Sequence, residues 1–202
     1  MITIVDYGMG NLGSMMNMFK RIGFPCMIES DPNQIINASK LILPGVGAFD
    51  TAVNRINNVP GLRDALDHKA LIEKVPVLGV CLGMQLLTDK SEEGALAGLG
   101  WIPGFARKFK AEEDIKVPHM GWNTATLNNC SSLTSNIPKK TRYYFVHSYY
   151  ITVKEPSHSL MRSHYGITFD SAIGKDNIFG VQFHPEKSHK FGMNLLSNFA
   201  KI

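Results

Sequence analysis

Short apolar runs recur through the N-terminal half of the chain and are separated by polar stretches. Each run is short and rich in aliphatic residues, and the third of them breaks into a loop of Pro and Gly. A run of this kind predicts a buried strand. The four runs lie at residues 2–7, 26–30, 40–49 and 75–80.

Two stretches between these runs carry apolar residues at helical spacing instead. They are 11–24, in which Gly23 supplies a C-terminal stop, and the amphipathic stretch 62–74. In 11–24 the apolar positions are Leu12, Met15, Met16, Phe19 and Ile22. Because strands and helices alternate, the pattern predicts an α/β fold of three layers, α/β/α, with a mostly parallel central sheet and helices on both faces.

The pattern changes after about residue 95, where short strand-like pieces are punctuated by Gly, Pro and Asn. These pieces predict hairpins that extend the sheet in mixed or antiparallel fashion. They lie at 98–110, 119–127, 143–153 and 163–183. A closing helix is expected at 192–202, and no linker or repeat interrupts the chain, so we expect a single domain over residues 1–202.

The composition is typical of a single globular domain and does not favour a nucleic-acid partner. The chain has 202 residues, of which 44% are hydrophobic, enough for one α/β domain with a sizeable core. The net charge of +4 is spread along the chain, which does not favour a nucleic-acid partner. The three cysteines have no CxxC spacing, and no apolar run is long enough for export or a membrane span. A cytoplasmic location is therefore expected.

The candidate chemistry begins at the sequence GVCLG, residues 79–83, where a strand turns directly into a helix. A strand-to-helix turn lifts one side chain out of the backbone, and glycines on either side leave room for the bend. Here that side chain is Cys81. The helix that starts at Leu82 places free N–H groups near the sulfur, where they favour thiolate and can hold an oxyanion. A buried structural cysteine is the competing interpretation.

A nucleophilic cysteine needs a base, and His184 is the best placed of seven histidines. The others are His68, His119, His147, His158, His164 and His189. His184 follows the apolar run 178–183 and precedes Pro185, which would end the strand. In an extended segment Glu186 would share its side, so its carboxylate could orient the imidazole. Cys81, His184 and Glu186 would then form a triad at the sheet edge where α/β sites lie. A surface turn is the alternative for HPE.

Two other interpretations of these motifs compete with a triad. HPE resembles the H-x-E of zinc deaminases, but no P-C-x-x-C follows it, so we expect no metal. GMGNLG at 8–13 matches the G-x-G-x-x-G of dinucleotide-binding proteins, with Glu29 or Asp31 near the expected distance. A dinucleotide would leave the cysteine turn unexplained. We therefore expect no cofactor.

Taken together, the motifs resemble those of the class I (triad) glutamine amidotransferases. The resemblance rests on GVCLGMQLL at 79–87, PGVGAF at 44–49 and FGVQFHPEKS at 179–188. More narrowly, the chain resembles the HisH-like glutaminase subunits of imidazole glycerol phosphate synthase. The motifs that carry this are DYGMGNLGS, LPGVGAF, PHMGWN and YYFVHSYY, which occur in the right order over nearly the whole chain.

The resemblance implies a role for each motif residue. Cys81 would attack the amide carbon of glutamine, and His184, oriented by Glu186, would protonate the departing ammonia. The oxyanion would be held by Leu82 and by the loop residues Gly45, Val46 and Gly47. The residues that would line the glutamine site are Gln85, Glu93, His147, Ser148 and Tyr149.

The resemblance also implies a protein partner, because ammonia released into water becomes ammonium, which is no nucleophile. In the family the partner is a HisF-type (β/α)8 cyclase (synthase) subunit, which forms a heterodimer with the glutaminase in histidine biosynthesis. The residues that would dock this partner are Asn11, Trp122, Tyr144 and Lys187. Trp122, between Gly and Asn, is expected in a loop, where an exposed tryptophan favours an interface. Ordinary core packing is the alternative.

The acceptor of the ammonia stays open at this level. The resemblance also includes HisH-like proteins that supply ammonia to surface-polysaccharide amidino-sugar synthases. This chain has His164 before Tyr165-Gly166, where the histidine-pathway pattern often has an acidic residue. A γ-glutamyl peptidase or an inactive scaffold subunit are further alternatives, although the complete triad argues against a scaffold.

Overall fold

The computed structural model describes residues 1–111 and 115–202. These residues form one sheet of 12 strands that is covered by helices. The strands are β1 (Ile2–Val5), β2 (Cys26–Glu29), β3 (Lys40–Gly45), β4 (Val77–Cys81), β5 (Lys90–Ser91), β6 (Gly104–Lys108), β7 (His119–Leu127), β8 (Lys140–His147), β9 (Tyr149–Val153), β10 (Ser159–Tyr165), β11 (Ile167–Lys175) and β12 (Ile178–Val181).

Six α-helices are found in the described residues, together with short 3-10 turns at Pro156–His158 and Pro185–Lys187. The α-helices are α1 (Leu12–Arg21), α2 (Pro32–Ile35), α3 (Phe49–Asn58), α4 (Leu62–Asp67), α5 (Leu82–Leu86) and α6 (His189–Lys201). A π-helical turn, His68–Ile72, continues α4, so the predicted helix at 62–74 is confirmed with a change of pitch. None of the helices described is long and apolar enough to cross a membrane.

The sheet is parallel on one side and antiparallel on the other. Its strand order is β2-β1-β3-β4-β12-β11-β10-β7-β8, and β2, β1, β3, β4 and β12 run parallel. From β12 to β8 each pair of neighbours is antiparallel. A branch leaves the sheet at β11, where β9 and then β6 pair antiparallel and β5 pairs parallel with β6. The predicted mixed extension of a mostly parallel sheet is therefore confirmed.

Two apolar cores lie on opposite faces of the sheet, because successive side chains of a strand point to opposite sides. In β3, Leu41 and Leu43 enter the core shared with α3 and α4, whereas Ile42 enters the core shared with α1 and α6. Strands buried on both faces read as continuous apolar runs, which is why the sequence shows no alternation in this half. The predicted helices on both faces are confirmed.

Several predicted boundaries were wrong. The first strand ends at Val5 instead of residue 7, and α6 begins at His189 instead of residue 192. The run at 40–49 is a strand only as far as Gly45, since Phe49 already starts α3. Helix α3 was not predicted, although its buried residues have helical spacing. These are Phe49, Ala52, Val53 and Ile56.

The parallel strands determine where the motifs meet. Because β1, β3, β4 and β12 run in one direction, the segments that follow them lie at one edge of the sheet. Gly45 at the end of β3 pairs with Cys81 at the end of β4, and Val181 pairs with Val80. This edge thus carries the glycine-rich turn, the PGVG loop, the cysteine turn and the HPE segment.

Candidate active site

Cys81 stands on a sharp turn between β4 and α5, as the sequence predicts. Its backbone has φ 55° and ψ −109°, a conformation that non-glycine residues rarely adopt. The flanking glycines are required by close packing. A Cβ on Gly83 would lie 1.8 Å from the Leu43 carbonyl oxygen, and one on Gly79 would lie 2.6 Å from the Gly83 carbonyl oxygen. The strained backbone conformation of Cys81 is therefore stabilised by the close approach of the α5 backbone to the β3 backbone.

His184 and Glu186 form a buried pair next to this turn. Nδ1 of His184 donates to Oε1 of Glu186 at 2.8 Å, and each side chain is 4% exposed. The expected extended segment was wrong. The chain instead forms a 3-10 turn at Pro185–Lys187, because proline at the first position suits a helical turn. The turn still brings Glu186 back against the imidazole.

The charge state of His184 is set by competing effects. Burial lowers the pKa of His184, but the neighbouring Cys81 thiol and Glu186 carboxylate outweigh it and raise the pKa to about 10. Since Nδ1 faces Glu186, Nε2 is the nitrogen available to Cys81. A protonated imidazole at this position can give its proton to a leaving group.

The PGVG loop lies beside the cysteine turn. A Cβ on Gly45 would come within 2.9 Å of Leu82 Cβ, and Gly47 has φ 115°, which an L side chain rarely adopts. Val46, between them, is exposed. The buried Tyr7 hydroxyl donates to the Pro44 carbonyl and anchors the start of the loop. Burial, and then the nearby Cys81, raise the pKa of Tyr7, so it remains a donor.

A cleft of about 230 Å³ opens at Cys81. It is lined by Gly47, Cys81, Leu82, Gln85, Glu93, Pro118, Val146, His147, Ser148 and Tyr149. The structure thus brings together at one cleft every residue that the resemblance assigns to glutamine. Within residues 1–111 and 115–202, no three His, Cys, Asp or Glu side chains converge as a metal-binding group.

Gln85 and Glu93 are held by contacts that the sequence does not reveal. Gln85 is buried, and its Nε2 lies 3.3 Å from the Tyr149 carbonyl and 3.4 Å from Oε1 of Gln182. Oε2 of Glu93 accepts from the backbone N–H of Phe49 at 2.9 Å, at the start of α3. Both side chains are therefore oriented towards the cleft by partners from other elements.

His119 lies behind the cleft residue His147 and was not singled out by the sequence. It lies opposite His147 in the β7–β8 pair, and its Nδ1 is 2.8 Å from Nε2 of His147. His147 in turn lies 2.8 Å, through Nδ1, from the Tyr149 carbonyl. Only the register of the two strands brings the histidines together. The signal available in the sequence was one histidine in each of two strand-like pieces.

Three of the four expected docking residues form one patch. Trp122 is 38% exposed and stacks on His189, with ring centroids 5.7 Å apart. Tyr144 packs against the edge of Trp122 at 6.1 Å, and Lys187 Nζ lies 6.0 Å from the centre of the Tyr144 ring. The expected loop position of Trp122 was wrong, because Trp122 lies within β7. Asn11 caps α1, and its Oδ1 accepts from the Ser14 N–H at 3.2 Å.

The first two glycines of GMGNLG, Gly8 and Gly10, are explained by packing, whereas a Cβ on Gly13 would meet no atom within 4 Å. Nη1 of Arg55 donates to the Gly8 carbonyl at 2.6 Å, and a Cβ on Gly8 would lie 2.0 Å from that nitrogen. Gly10 has φ 100°, and its Cβ would meet Pro44 at 3.0 Å. Gly8 and Gly10 of the motif therefore serve contacts with α3 and the PGVG loop.

Comparison with known proteins identifies the family to which this chain belongs. Residues 3–202 match the family model described as glutamine amidotransferase class-I. A relative from Methanococcus maripaludis is 52% identical over all of this chain and 99% of its own length, and is named imidazole glycerol phosphate synthase subunit HisH 2. A relative of the same name from Pseudomonas aeruginosa is 48% identical over the full length of both chains. One from Bdellovibrio bacteriovorus, named subunit HisH, is 46% identical, also over both full lengths.

Solved structures agree with this fold. PurLQS from Thermotoga maritima superposes with a TM-score of 0.77 at 15% identity, over 99% of this chain and 97% of that one. A glutamine amidotransferase from the same organism gives a TM-score of 0.62 at 18% identity, over 99% and 82% of the two chains. The predicted three-layer α/β/α amidotransferase fold is confirmed.

Proposed function

We propose that this chain, which belongs to the class I glutamine amidotransferase family, is the glutaminase subunit of an imidazole glycerol phosphate synthase in histidine biosynthesis. The observation that carries the assignment is full-length identity of 46–52% to relatives that are named as such subunits. The whole chain, residues 1–202, is proposed to act as one amidotransferase domain. The assembled synthase is a lyase, and this chain is its hydrolase.

The proposed reaction uses Cys81 as nucleophile. Its sulfur attacks the side-chain amide carbon of glutamine, and the imidazolium of His184 gives its proton to the departing nitrogen. Ammonia leaves, and a γ-glutamyl thioester remains on Cys81. Water, deprotonated by His184, then attacks the thioester and releases glutamate. Glu186 supports this role because its carboxylate is 2.8 Å from Nδ1 and stabilises the protonated ring.

Negative charge on the amide oxygen needs donors that are in place before the reaction. Leu82 supplies the first backbone N–H after the nucleophile, and the loop Gly45, Val46, Gly47 supplies the second. The close contact between Gly45 and Leu82 supports this pairing. The exposed Val46 peptide lies between two glycines and can rotate at little steric cost.

Glutamine would be held by the rest of the cleft. Glu93 supplies a carboxylate for the α-ammonium group, and Gln85 is one helical turn beyond the nucleophile. The remaining wall is formed by His147, Ser148 and Tyr149. The support for these roles is their position around one cleft with Cys81.

Ammonia must reach a partner without mixing with water, so the chain is proposed to form a heterodimer with a HisF-type (β/α)8 cyclase. The proposed docking residues are Asn11, Trp122, Tyr144 and Lys187. Asn11 and Lys187 lie in the segments that follow β1 and β12, and Trp122 and Tyr144 lie within β7 and β8. A half-exposed tryptophan at the centre of an aromatic patch suits an interface hot spot. A cytoplasmic location is proposed with this biosynthetic role.

The test is glutamate release from glutamine, measured with the purified chain alone and then with a HisF-type synthase and its nucleotide substrate. Weak activity alone that rises at least tenfold on adding both supports a coupled histidine-pathway glutaminase. Activity that is unchanged by the synthase contradicts that assignment.

A second acceptor is favoured by one observation. His164 stands before Tyr165-Gly166, where the histidine-pathway pattern often has an acidic residue. The second candidate function is therefore a HisH-like amidotransferase that supplies ammonia to a surface-polysaccharide amidino-sugar synthase. Stimulation by such a synthase, and none by the HisF-type subunit, is the result expected for it.

A further inference from the structure

A continuous line of hydrogen-bond contacts runs from the cleft to the outer strands of the sheet. The Tyr149 carbonyl is 2.8 Å from Nδ1 of His147, and Nε2 of His147 is 2.8 Å from Nδ1 of His119. Nε2 of His119 is 3.2 Å from Nδ2 of Asn123. Both histidines are buried, at 3% and 5% exposure. Each ring nitrogen of the pair thus has a partner.

These contacts determine the position of every proton along the line. A carbonyl only accepts, so Nδ1 of His147 carries the hydrogen, and in a neutral ring Nε2 must accept. Nδ1 of His119 therefore donates to it, which leaves Nε2 of His119 to accept from Asn123. The amide of Asn123 is oriented independently, because its Oδ1 accepts from the Thr124 N–H at 2.7 Å and its Nδ2 donates to the His164 carbonyl at 2.9 Å.

The surroundings keep both rings neutral. His119 is stacked between Phe145, at 4.9 Å, and Tyr165, at 4.1 Å, and Phe109 packs against both histidines. Burial lowers the pKa of His119 to about 4 and that of His147 to about 3. His184 also lies close enough to His147 to oppose a second positive charge on it.

The line ends at atoms that shape the cleft. The Tyr149 carbonyl also accepts from Nε2 of Gln85, and Gln85 contacts Gln182. Nε2 of Gln182 in turn lies 3.8 Å from the sulfur of Cys81. The position of the Tyr149 carbonyl therefore affects how Gln85 is oriented next to the nucleophile.

We propose that His119 is a positioning residue, which locks His147 in the Nδ1-protonated neutral form and thereby holds the Tyr149 carbonyl and Gln85 in place for glutamine. The identity of the ligand rests on the proposed function, whereas the protonation pattern does not. His119 touches no substrate in this arrangement. Its effect reaches the cleft through His147.

Two substitutions separate the hydrogen bond from ring packing. His119→Phe keeps a stacked ring but removes the donor to His147, whereas His119→Asn loses the ring but keeps an N–H near the position of Nδ1. The glutaminase is assayed in complex with the HisF-type synthase and its nucleotide substrate. We expect His119→Phe to raise KM for glutamine about tenfold with kcat within about threefold, and His119→Asn to stay within about threefold for both. An unchanged KM in His119→Phe, or a larger defect in His119→Asn, overturns the proposal.

The protonation pattern is measured directly by long-range ¹H–¹⁵N correlation spectra of the free protein with ¹⁵N-labelled histidine. We expect His147 to be Nδ1-protonated in the wild type and in His119→Asn, and to gain Nε2-protonated form in His119→Phe. A wild-type His147 that is protonated on Nε2 overturns the proposal even where a variant fails to fold. Absence of glutaminase activity in the wild type contradicts the proposed function and leaves this spectroscopic result standing.

Discussion

Nδ1 of His184 and Oε1 of Glu186 lie 2.8 Å apart, with only Pro185 between the two residues in the chain. The 3-10 turn at Pro185–Lys187 makes this contact possible, and both side chains are almost completely buried. A buried carboxylate that touches an imidazole stabilises its protonated form. The pair therefore has a direct consequence for activity and for stability against pH.

Removing the carboxylate charge is the first test of this pair. Glu186→Gln should lower glutamine hydrolysis by roughly 10²–10⁴-fold, because the imidazolium loses its counter-charge. The folded pKa of His184 is raised, so its stabilising effect is fully present below the unfolded pKa of about 6.5 and is lost as pH rises through about 10. The variant should lose about 1–3 kcal/mol near pH 6 and less near pH 10. Urea unfolding at both values measures this, and an equal loss at both contradicts it.

The nucleophile is tested by removing its sulfur. Cys81→Ser and Cys81→Ala should each reduce glutamate release by at least about a thousandfold while the thermal unfolding midpoint changes little. Cys130→Ser is the matched control, because Cys130 is an exposed cysteine away from the cleft. Substantial turnover in purified Cys81→Ala would exclude Cys81 as the nucleophile.

The contact between α5 and β3 predicts a large cost for one added methyl group. Gly83→Ala should destabilise the protein by about 1–3 kcal/mol or more, since its Cβ would lie 1.8 Å from the Leu43 carbonyl oxygen. The matched control is Gly13→Ala, in helix α1, where the added Cβ meets no atom within 4 Å. We expect that variant to be neutral or stabilised by up to about 1 kcal/mol. Urea denaturation of both variants measures the free energy of unfolding. An equal loss in the two variants would contradict a steric limit at Gly83.

The aromatic patch predicts an effect on partner binding. Trp122→Ala should weaken binding to the HisF-type subunit by roughly 30-fold or more, the range of an interface hot spot. Ile72→Ala is the control, because Ile72 is 71% exposed and precedes β4 at the opposite sheet edge. Titration calorimetry measures both. Unchanged affinity, or a loss equal to that of the control, would place Trp122 outside the interface.

The buried histidines predict sensitivity to acid. The pKa values of His119 and His147 are lowered by burial to about 4 and about 3, so both are neutral in the folded state at pH 7. Below about pH 6.5 these two histidines bind protons in the unfolded chain but stay neutral in the folded chain. The free energy of unfolding therefore falls with pH until the folded pKa values are reached.

The slope of stability against pH is determined by the uptake of one proton by each histidine on unfolding. The two should contribute up to about 2.7 kcal/mol per pH unit between about pH 6 and 4, and His119→Phe should remove roughly half of that slope. His68→Gln is the control, because His68 is half exposed. Stability measured by urea at several pH values gives the slopes, and an identical slope in His119→Phe and wild type would contradict the buried neutral pair.

The sequence by itself was sufficient for the parts of the molecule that depend on neighbouring residues. The apolar runs of β1, β3 and β4, the helical spacing of α1 and the glycines around Cys81 are local patterns, because burial and backbone sterics act over a few positions. The roles of Cys81, His184 and Glu186 could be expected from the same local motifs and from the family resemblance.

The tertiary structure decided which distant segments became neighbours. The parallel pairing of β12 with β4 puts His184 beside Cys81, and the register of β7 with β8 puts His119 opposite His147. No local pattern encodes either relationship, since pairing between strands is determined by the packing of the whole sheet. The sequence analysis expected Glu186 to reach His184 through an extended segment, and this was wrong, because a 3-10 turn makes the contact. The burial that makes these histidines chemically distinct exists only once the sheet has formed.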